Sequence, residues 1–340
     1  MEKWMEELVS IVSPIYMVGG CVRDIELGRE PNDYDFCTPL MPEEIERRIQ
    51  EAGKRVYQWR PHGKKLGVIG AKFDGHKVEI STFRAEKYTN CVRRPSEISF
   101  VKDITADLSR RDFTINAMAK RLDKDQAIID PFGGRKDLAD KRIRAVGKPS
   151  ERFKEDPLRM LRACRFAAQL GFNINMDTLD KMKQLSYKIL SISRERWNDE
   201  MDKLLMSDLP VIGLKILYET RLINYMIPPM AIQKDYDQNS PYHQMSLFGH
   251  TMIVVHNVPR DINLRWAAFL HDIGKPFVRT EKIDRSNYIN HDLVGAEMVE
   301  AIGRYMKWSN ERRETVVNLI RNHLQDDSPL READHIGKTK

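Results

Sequence analysis

The apolar positions of this 340-residue chain change rhythm near residue 145. Before that point short apolar runs alternate with polar positions. Beyond it apolar residues recur every three to four positions, the helical period. In the first part, residues 15–18 read as an apolar strand. A Gly19-Gly20 turn and a helix over about 21–27, closed by Gly28, follow. A second strand is expected over 33–37 and a helix over 42–52. Leu66–Phe73 and Lys77–Phe83 alternate as strands, with Asp74-Gly75 between them as a hairpin signal. Residues 85–106 are polar and irregular, Asp112 to Met118 opens a helix, and Ile128–Phe132 is a short strand. In the second part, Asp156–Leu170 reads as a helix with Pro157 at its first position and Gly171 just past its end. Ser193–Met206 reads as another helix, started by Ser193. The fold class is therefore α+β, a mixed-sheet head followed by helices. Pro228-Pro229 and the polar run Gln233–Pro241 mark the expected boundary of a last domain.

Composition adds bounds. Hydrophobic residues are 41% and charged residues 31%, ordinary for a protein that folds in water, and no apolar run reaches membrane-spanning length. The N-terminal residues read as an amphipathic helix rather than a secretory leader. Cys21, Cys37, Cys91 and Cys164 lack metal-ligand spacing and read as reduced packing residues of a cytoplasmic protein. The net charge is +6, and residues 101–170 carry 17 Lys and Arg against 11 Asp and Glu, an excess equal to that of the whole chain. Such a run fits a solvated surface. Its overlap with the densest motifs gives weight to an anionic partner, RNA or nucleotide phosphate.

Asp33 and Asp35 stand two apart on the expected second strand, so both carboxylates point to one face. Two such groups repel unless a divalent cation lies between them, and oxygen-only ligands suit Mg²⁺ at phosphates. The Gly19-Gly20 turn offers backbone N–H groups to a polyphosphate at a helix start. Glu79, on the polar face of the hairpin's second strand, is either a third carboxylate for the same ions or a solvent-facing strand residue. Arg111 and Asp112 near a helix start suit phosphates and ribose hydroxyls, or else form a capped helix with exposed charge. On the Asp156–Leu170 helix, Met160, Leu161, Cys164, Ala167 and Ala168 share one face, and Asp156, Arg159, Arg162 and Phe166 the opposite one. That second face is either solvated or reads a base. An Asp accepts from the exocyclic amine of cytosine or adenine while an Arg donates to the adjacent ring nitrogen; uracil and guanine lose both bonds.

Five motifs in order resemble those of class II tRNA nucleotidyltransferases, the CCA-adding enzymes of the poly(A) polymerase/CCA family. They are Gly19-Gly20-Cys21-Val22-Arg23-Asp24 through Asp33-Tyr34-Asp35; Arg110-Arg111-Asp112 through Asn116; Asp130 through Arg144; Glu155-Asp156-Pro157-Leu158-Arg159; and Ser193-Arg194-Glu195-Arg196 through Glu200. Trp197 and Met201 depart from that family's usual Ile and Phe. The resemblance implies a nucleotidyltransferase head of polymerase β-like fold over 1–145, a helical neck over 146–206, a helical body over 207–232 and an HD-type helical domain over 233–340. It implies that Asp33 and Asp35 serve catalysis by binding Mg²⁺, and Glu79, from its place on the strand, is the candidate third catalytic carboxylate. Gly20, Arg23, Arg111, Asp112, Asn116, Asp156, Arg159, Arg162 and Arg165 would bind nucleotide, with Asp156 and Arg159 selecting CTP and then ATP. The Arg93-Arg94 loop matches the segment needed for the final A.

His250, His271-Asp272, His291 and His323 resemble the HD phosphohydrolase superfamily. Such ligands on several helices can hold a transition metal that activates water. The expected activity is thus CCA addition to tRNA from CTP and ATP, with no membrane partner. A CC- or A-adding half-enzyme, a poly(A) polymerase, or an HD phosphohydrolase with a vestigial transferase head are the alternatives.

Overall fold

In the computed structural model, which describes residues 2–57, 63–88, 96–239, 245–283 and 285–339, the alternating first part of the chain folds onto a mixed seven-stranded sheet. The strands are β1 (Tyr16–Val18), β2 (Asp35–Thr38), β3 (Val56–Tyr57), β4 (Val68–Phe73), β5 (His76–Thr82), then β8 (Ala119–Arg121) and β9 (Ile128–Ile129). Between β5 and β8 lies a separate two-stranded ribbon of β6 (Arg84–Lys87) and β7 (Glu97–Phe100). The sheet order is β3-β4-β5-β2-β1-β8-β9. β2 and β5 run parallel, in a register that sets Asp35 beside Glu79. The β4–β5 hairpin turns at Asp74 (φ 45°) and Gly75 (φ 84°), the pair of positive dihedrals that an Asp-Gly turn supplies.

Helices α1 (Lys3–Ile11), α2 (Gly20–Glu26), α3 (Pro42–Glu51), α4 (Ile104–Ser109), α5 (Gly134–Ala139) and α6 (Pro149–Glu155) complete this unit, which ends at Asp156. α1 and α3 pack on β4. A core of Tyr16, Val18, Cys37, Phe83, Leu108 and Val146, among others, sits where β1, β2 and β8 meet α4.

Three local expectations are corrected here. The second strand begins at Asp35, so Asp33 precedes it in a bend. Residues 85–106 are not wholly irregular: β6, β7 and the start of α4 occupy both ends, while 89–95, with Cys91 and the Arg93-Arg94 pair, lie outside the described residues. No helix opens at Asp112; α4 ends at Ser109, and Thr114–Asn116 makes a single 3₁₀ turn before β8. The Asp112 carboxylate accepts from the Phe113 N–H (2.8 Å), a local bond that competes with helix.

The second unit, Pro157–Lys340, is helical apart from short strand pieces. Its helices are α7 (Leu158–Leu170), α8 (Met176–Leu185), α9 (Arg194–Leu205), α10 (Pro210–Glu219), α11 (Leu222–Met226), α12 (Pro228–Ala231), α13 (Leu247–Asn257), α14 (Ile262–Leu270), α15 (Lys275–Val278), α16 (His291–Tyr305), α17 (Asn310–Arg321) and α18 (Arg331–Thr339). Residues 240–244, within the expected boundary run, lie outside the described residues. α9 is fastened to the later helices by polar bonds. Asn198 Oδ1 accepts from Trp308 Nε1 (3.0 Å), and Asp202 accepts from Trp266 Nε1 (2.7 Å) and pairs with Arg312 (2.8 Å). Among the described residues no helix is long and apolar enough to cross a membrane.

Candidate active site and a buried metal-ligating cluster

The segment before β2 is pinned by aromatic packing. Trp4 of α1 lies edge-on to Tyr34 (5.5 Å) and Phe36 (6.2 Å) and stacks on His76 (4.8 Å). Tyr34 and Phe36 stack on each other at 6.4 Å, so both turn to one side of the extended segment. Asp33, in the bend before β2, and Asp35, its first residue, are both exposed. Glu79 is half-buried beside Asp35 on β5. The three carboxylates do not form one of the clusters of three close ligand atoms found among the described residues. Their all-oxygen donor set still fits a hard cation.

Gly19, at φ +80°, sits where a β-carbon would stand 2.8 Å from Arg111 Nη1 and 3.9 Å from Asp35 Oδ2. The glycine is thus required twice, for its dihedral and for the close passage of the Arg111 guanidinium toward Asp35. Its N–H is directed to the Met118 carbonyl (3.3 Å), so this amide is not open to a phosphate as expected. Arg111 also lies 3.5 Å from the buried Asp107, and its buried Nε lacks a hydrogen-bond partner. Arg110 serves the scaffold: it pairs with Asp107 (2.7 Å) and Glu86 (3.3 Å). Burial alone would raise the Glu86 carboxyl, but Arg110, Arg84 and the Tyr88 hydroxyl hold it below its ordinary value.

Arg23, Asn116 and Asp112 are joined in one network. Arg23 Nη1 donates to Asn116 Oδ1 (2.8 Å), and Asn116 Nδ2 donates to Asp112 Oδ1 (3.2 Å). Arg23 also grips Asp24 through two nitrogens (2.9 and 3.1 Å). Gly20 opens α2 beside this network.

Asp156 and Arg159 fall on either side of the boundary between the two units. Asp156 is extended, closing α6, and α7 begins at Leu158, so the aspartate is not part of the helix as expected. Of the two readings of the charged face, a fully solvated one does not fit: Arg159, Arg165 and Phe166 are buried. Arg165 Nε meets Glu200 of α9 at 2.5 Å and lies 4.0 Å over the Phe166 ring, and Arg162 reaches Glu200 at 3.5 Å. Glu200, itself buried, is the carboxylate that pairs with the buried Arg165 and the half-buried Arg162.

The four histidines and Asp272 converge. His250 comes from α13, His271 and Asp272 from the end of α14, His291 from the start of α16, and His323 from just beyond α17. Gly274 lets this happen: a β-carbon there would collide with the His291 carbonyl and approach Gly295 N to 2.8 Å. Asp272 Oδ2 lies 3.0 Å from His271 Nε2 and 3.3 Å from His250 Nε2; Oδ1 lies 3.3 Å from His291 Nε2 and 3.9 Å from His323 Nε2. One carboxylate thus faces two pairs of imidazoles. A sixth donor escaped the sequence reading. Asp334 Oδ1 of α18 lies 3.0 Å from His250 Nε2 and 3.9 Å from His271 Nε2. Its signal was there: Leu330, Ala333, Asp334 and Gly337 share one helical stripe, and an acid in a buried stripe needs a partner.

The tautomers decide what this cluster fits. His271, His291 and His323 each turn Nδ1 to a backbone carbonyl, of Ala268 (2.9 Å), Tyr288 (2.7 Å) and Ile320 (2.6 Å). Those nitrogens therefore donate, and each Nε2 lone pair faces inward. The Nε2 atoms of His291 and His323 are 3.3 Å apart. Two acceptors that close call for a cation between them, and ligands about 2.1 Å from one ion lie roughly 3.0–3.5 Å apart. Burial and the neighbouring His271 push the His323 imidazole down to about 4, leaving it in its ligating neutral form at pH 7. Burial would raise Asp272, but His271 and Lys275 beside it hold it well below the carboxylate range. The donors fit resident divalent ions.

Comparison with known proteins follows the same division. Residues 15–144 match the poly A polymerase head domain, 171–233 the probable RNA and SrmB-binding site of polymerase A, and 248–336 the HD domain. A CCA-adding enzyme of Geobacillus thermodenitrificans is 33% identical over 301 residues, which are 87% of this chain and 69% of that protein. A CCA-adding enzyme of Bacillus pumilus is 39% identical over 232 residues, 67% of this chain and 55% of the relative. The chain thus spans about half the length of several curated relatives it matches. The crystal structure of the Bacillus stearothermophilus CCA-adding enzyme in complex with CTP superposes with a TM-score of 0.69 at 26% identity, covering 99% of this chain and 77% of that one.

Proposed function

The chain belongs to the family of CCA-adding enzymes, and we propose that it adds CCA to the 3′ end of tRNA from CTP and ATP without a nucleic-acid template. The observation that carries this reading is the meeting of Arg111, Gly19 and Asp35 at the start of β2, beside Glu79 in register on β5. Exposed carboxylates and a guanidinium within a few ångströms suit a triphosphate that arrives with its own cations. Asp33 and Asp35 hold Mg²⁺, and Glu79 is the third carboxylate. Bound there, the ions lower the pKa of the attacking 3′-hydroxyl and offset charge on the α-phosphate. Arg111 orients the phosphates, and the Arg23–Asn116–Asp112 network with Gly20 shapes the ribose side. Asp156 and Arg159 select the base by accepting from the exocyclic amine and donating to the ring nitrogen. Arg162 and Arg165, held by Glu200, keep that helix charged and rigid. The buried cysteines Cys21, Cys37 and Cys164 agree with a reducing cytoplasm.

Nucleotide binding measured by calorimetry with Mg²⁺ tests the selection. CTP and ATP are expected to bind at least about 10²-fold tighter than UTP and GTP, because a hydrogen-bonding site leaves buried groups unpaired against the wrong base. Equal binding of all four nucleotides contradicts the assignment of Asp156 and Arg159.

A second activity is supported by one specific observation, the six inward donors made up of Asp272 and the five side chains around it. We propose that they hold two divalent ions of the transition series, His250, His271 and Asp334 on one side of Asp272 and His291 and His323 on the other, for phosphoester hydrolysis.

A further inference from the structure

Two adjacent arginines share one carboxylate unequally. Asp107 of α4 is fully buried. Its Oδ1 accepts from Arg110 Nε (3.0 Å), from Arg110 Nη2 (2.7 Å) and from the backbone N–H of Arg84 (3.2 Å). Its Oδ2 has no hydrogen-bond partner among the described residues, and Arg111 Nη2 stands 3.5 Å from it. At that separation the two charges pair, but the contact is too long for an ordinary hydrogen bond. Arg110 also reaches Glu86 (3.3 Å), which pairs with Arg84 (2.8 Å) and accepts from the Tyr88 hydroxyl (2.7 Å). Arg84, Arg110 and Arg111 thus stand against two acids, Asp107 and Glu86. Arg84 and Arg110 hold the close contacts, so the excess positive charge falls on Arg111.

We infer that Asp107 is a positioning residue for nucleotide addition: its Oδ2 aims the Arg111 guanidinium past Gly19 at the triphosphate and leaves the donors that the phosphates need. The inference rests on the reading that Arg111 orients the phosphates. A carboxylate with only a scaffold role in a core has both oxygens hydrogen-bonded, because a buried acceptor left over is costly. Here the second oxygen is left for a cationic group at the site. The attraction is strong at 3.5 Å, since a buried charge is weakly screened. The guanidinium is a rigid plane, so drawing Nη2 toward Asp107 sets the direction of Nη1. Nη1 passes 2.8 Å from where a Gly19 β-carbon would stand, on the side of Asp35. A two-nitrogen grip, as Arg110 has, would hold the fork equally well but use up its donors. One long contact orients Arg111 and keeps it available. Lysine would not serve, because a single ammonium cannot face the buried carboxylate and a phosphate with separate nitrogens.

The test is a double-mutant cycle on the full chain, read by calorimetric titration with CTP and Mg²⁺ at a temperature where circular dichroism shows each variant folded. R111A is expected to bind CTP about tenfold more weakly, the loss of one charge-assisted contact. D107N should lose a similar factor with Arg111 still present. The double variant should be no weaker than R111A, because Asp107 acts only through Arg111. R111K leaves Asp107 and its bonds to Arg110 in place, so it reads the same geometry even where D107N does not fold. It should lose nearly as much as R111A although the charge is kept. CTP affinity within twofold of wild type in D107N or in R111K overturns the inference. Losses that multiply in the double variant also overturn it, since Asp107 then acts on the fold and not through Arg111, while the reading of Arg111 stands. R111A with wild-type affinity removes the reading of Arg111 itself, and the inference with it.

Discussion

Asp33 and Asp35 stand exposed at the start of a strand with Arg111 close by, whereas Asp272 and Asp334 lie buried among four imidazoles. Both sets are acids placed for a cation, but the surroundings differ. In the head, water already solvates the carboxylates, so an ion can come and go with each nucleotide at little cost. In the helical unit the carboxylates are held from water, and three carbonyls fix the histidine tautomers before any ion arrives. The open site suits a reaction whose metal is delivered with substrate, and the closed one suits a resident metal.

The largest effect expected from breaking this comparison is at Asp35. D35N should lower nucleotide addition by about 10³-fold or more, since a cation site supplies several kcal/mol of transition-state stabilisation. tRNA binding, measured by gel shift, and metal retained after dialysis should both stay at wild-type levels. Loss of retained metal in D35N would mean that the head site is also resident. The reciprocal variant, D272N, should lose retained metal by about 10²-fold in affinity or more while nucleotide addition continues. It removes the carboxylate shared by both imidazole pairs, so calorimetric titration with Mn²⁺ reads it directly.

R159A comes next. Discrimination of CTP and ATP against UTP and GTP should fall by roughly 10²-fold, with a smaller fall in turnover of any one nucleotide. An unchanged selectivity ratio in single-turnover assays would remove the base-reading role from α7. The smallest effect concerns the scaffold. The lowered pKa of Glu86 means that its stabilising contribution is fully present above its unfolded value and is lost as pH falls through the folded one. Acid unfolding followed by circular dichroism should therefore begin at higher pH in the wild type than its difference from E86Q at pH 7 would suggest, and the two should converge at low pH.

Much of this was legible in the chain. The Gly19-Gly20 turn, α2 closed at Gly28, the β4–β5 hairpin and the helical second unit follow from local turn chemistry and apolar period. The set of His250, His271, Asp272, His291 and His323 was legible too, because histidines spaced across separate helices have few other uses. What escaped depends on tertiary contacts. The burial of Arg165 could not be seen from the period of α7, since nothing in that spacing shows Glu200 set against it. Asp334 went unread although Leu330, Ala333 and Gly337 mark its stripe, because the helix they mark is short and rich in charge. The start of β2 was misplaced by two residues because alternation continues through Asp33 although the ladder does not. The Asp112 segment read as a helix start because Asp is a common cap residue, whereas in the fold its carboxylate bonds the adjacent Phe113 N–H.

The account is tested most directly by the product made on a tRNA that lacks its last three nucleotides, incubated with CTP, ATP and Mg²⁺ and sequenced at its 3′ end. Addition of C, C and A, followed by arrest, is the predicted result. Two C residues alone, a long A tract, or no extension at all would contradict it.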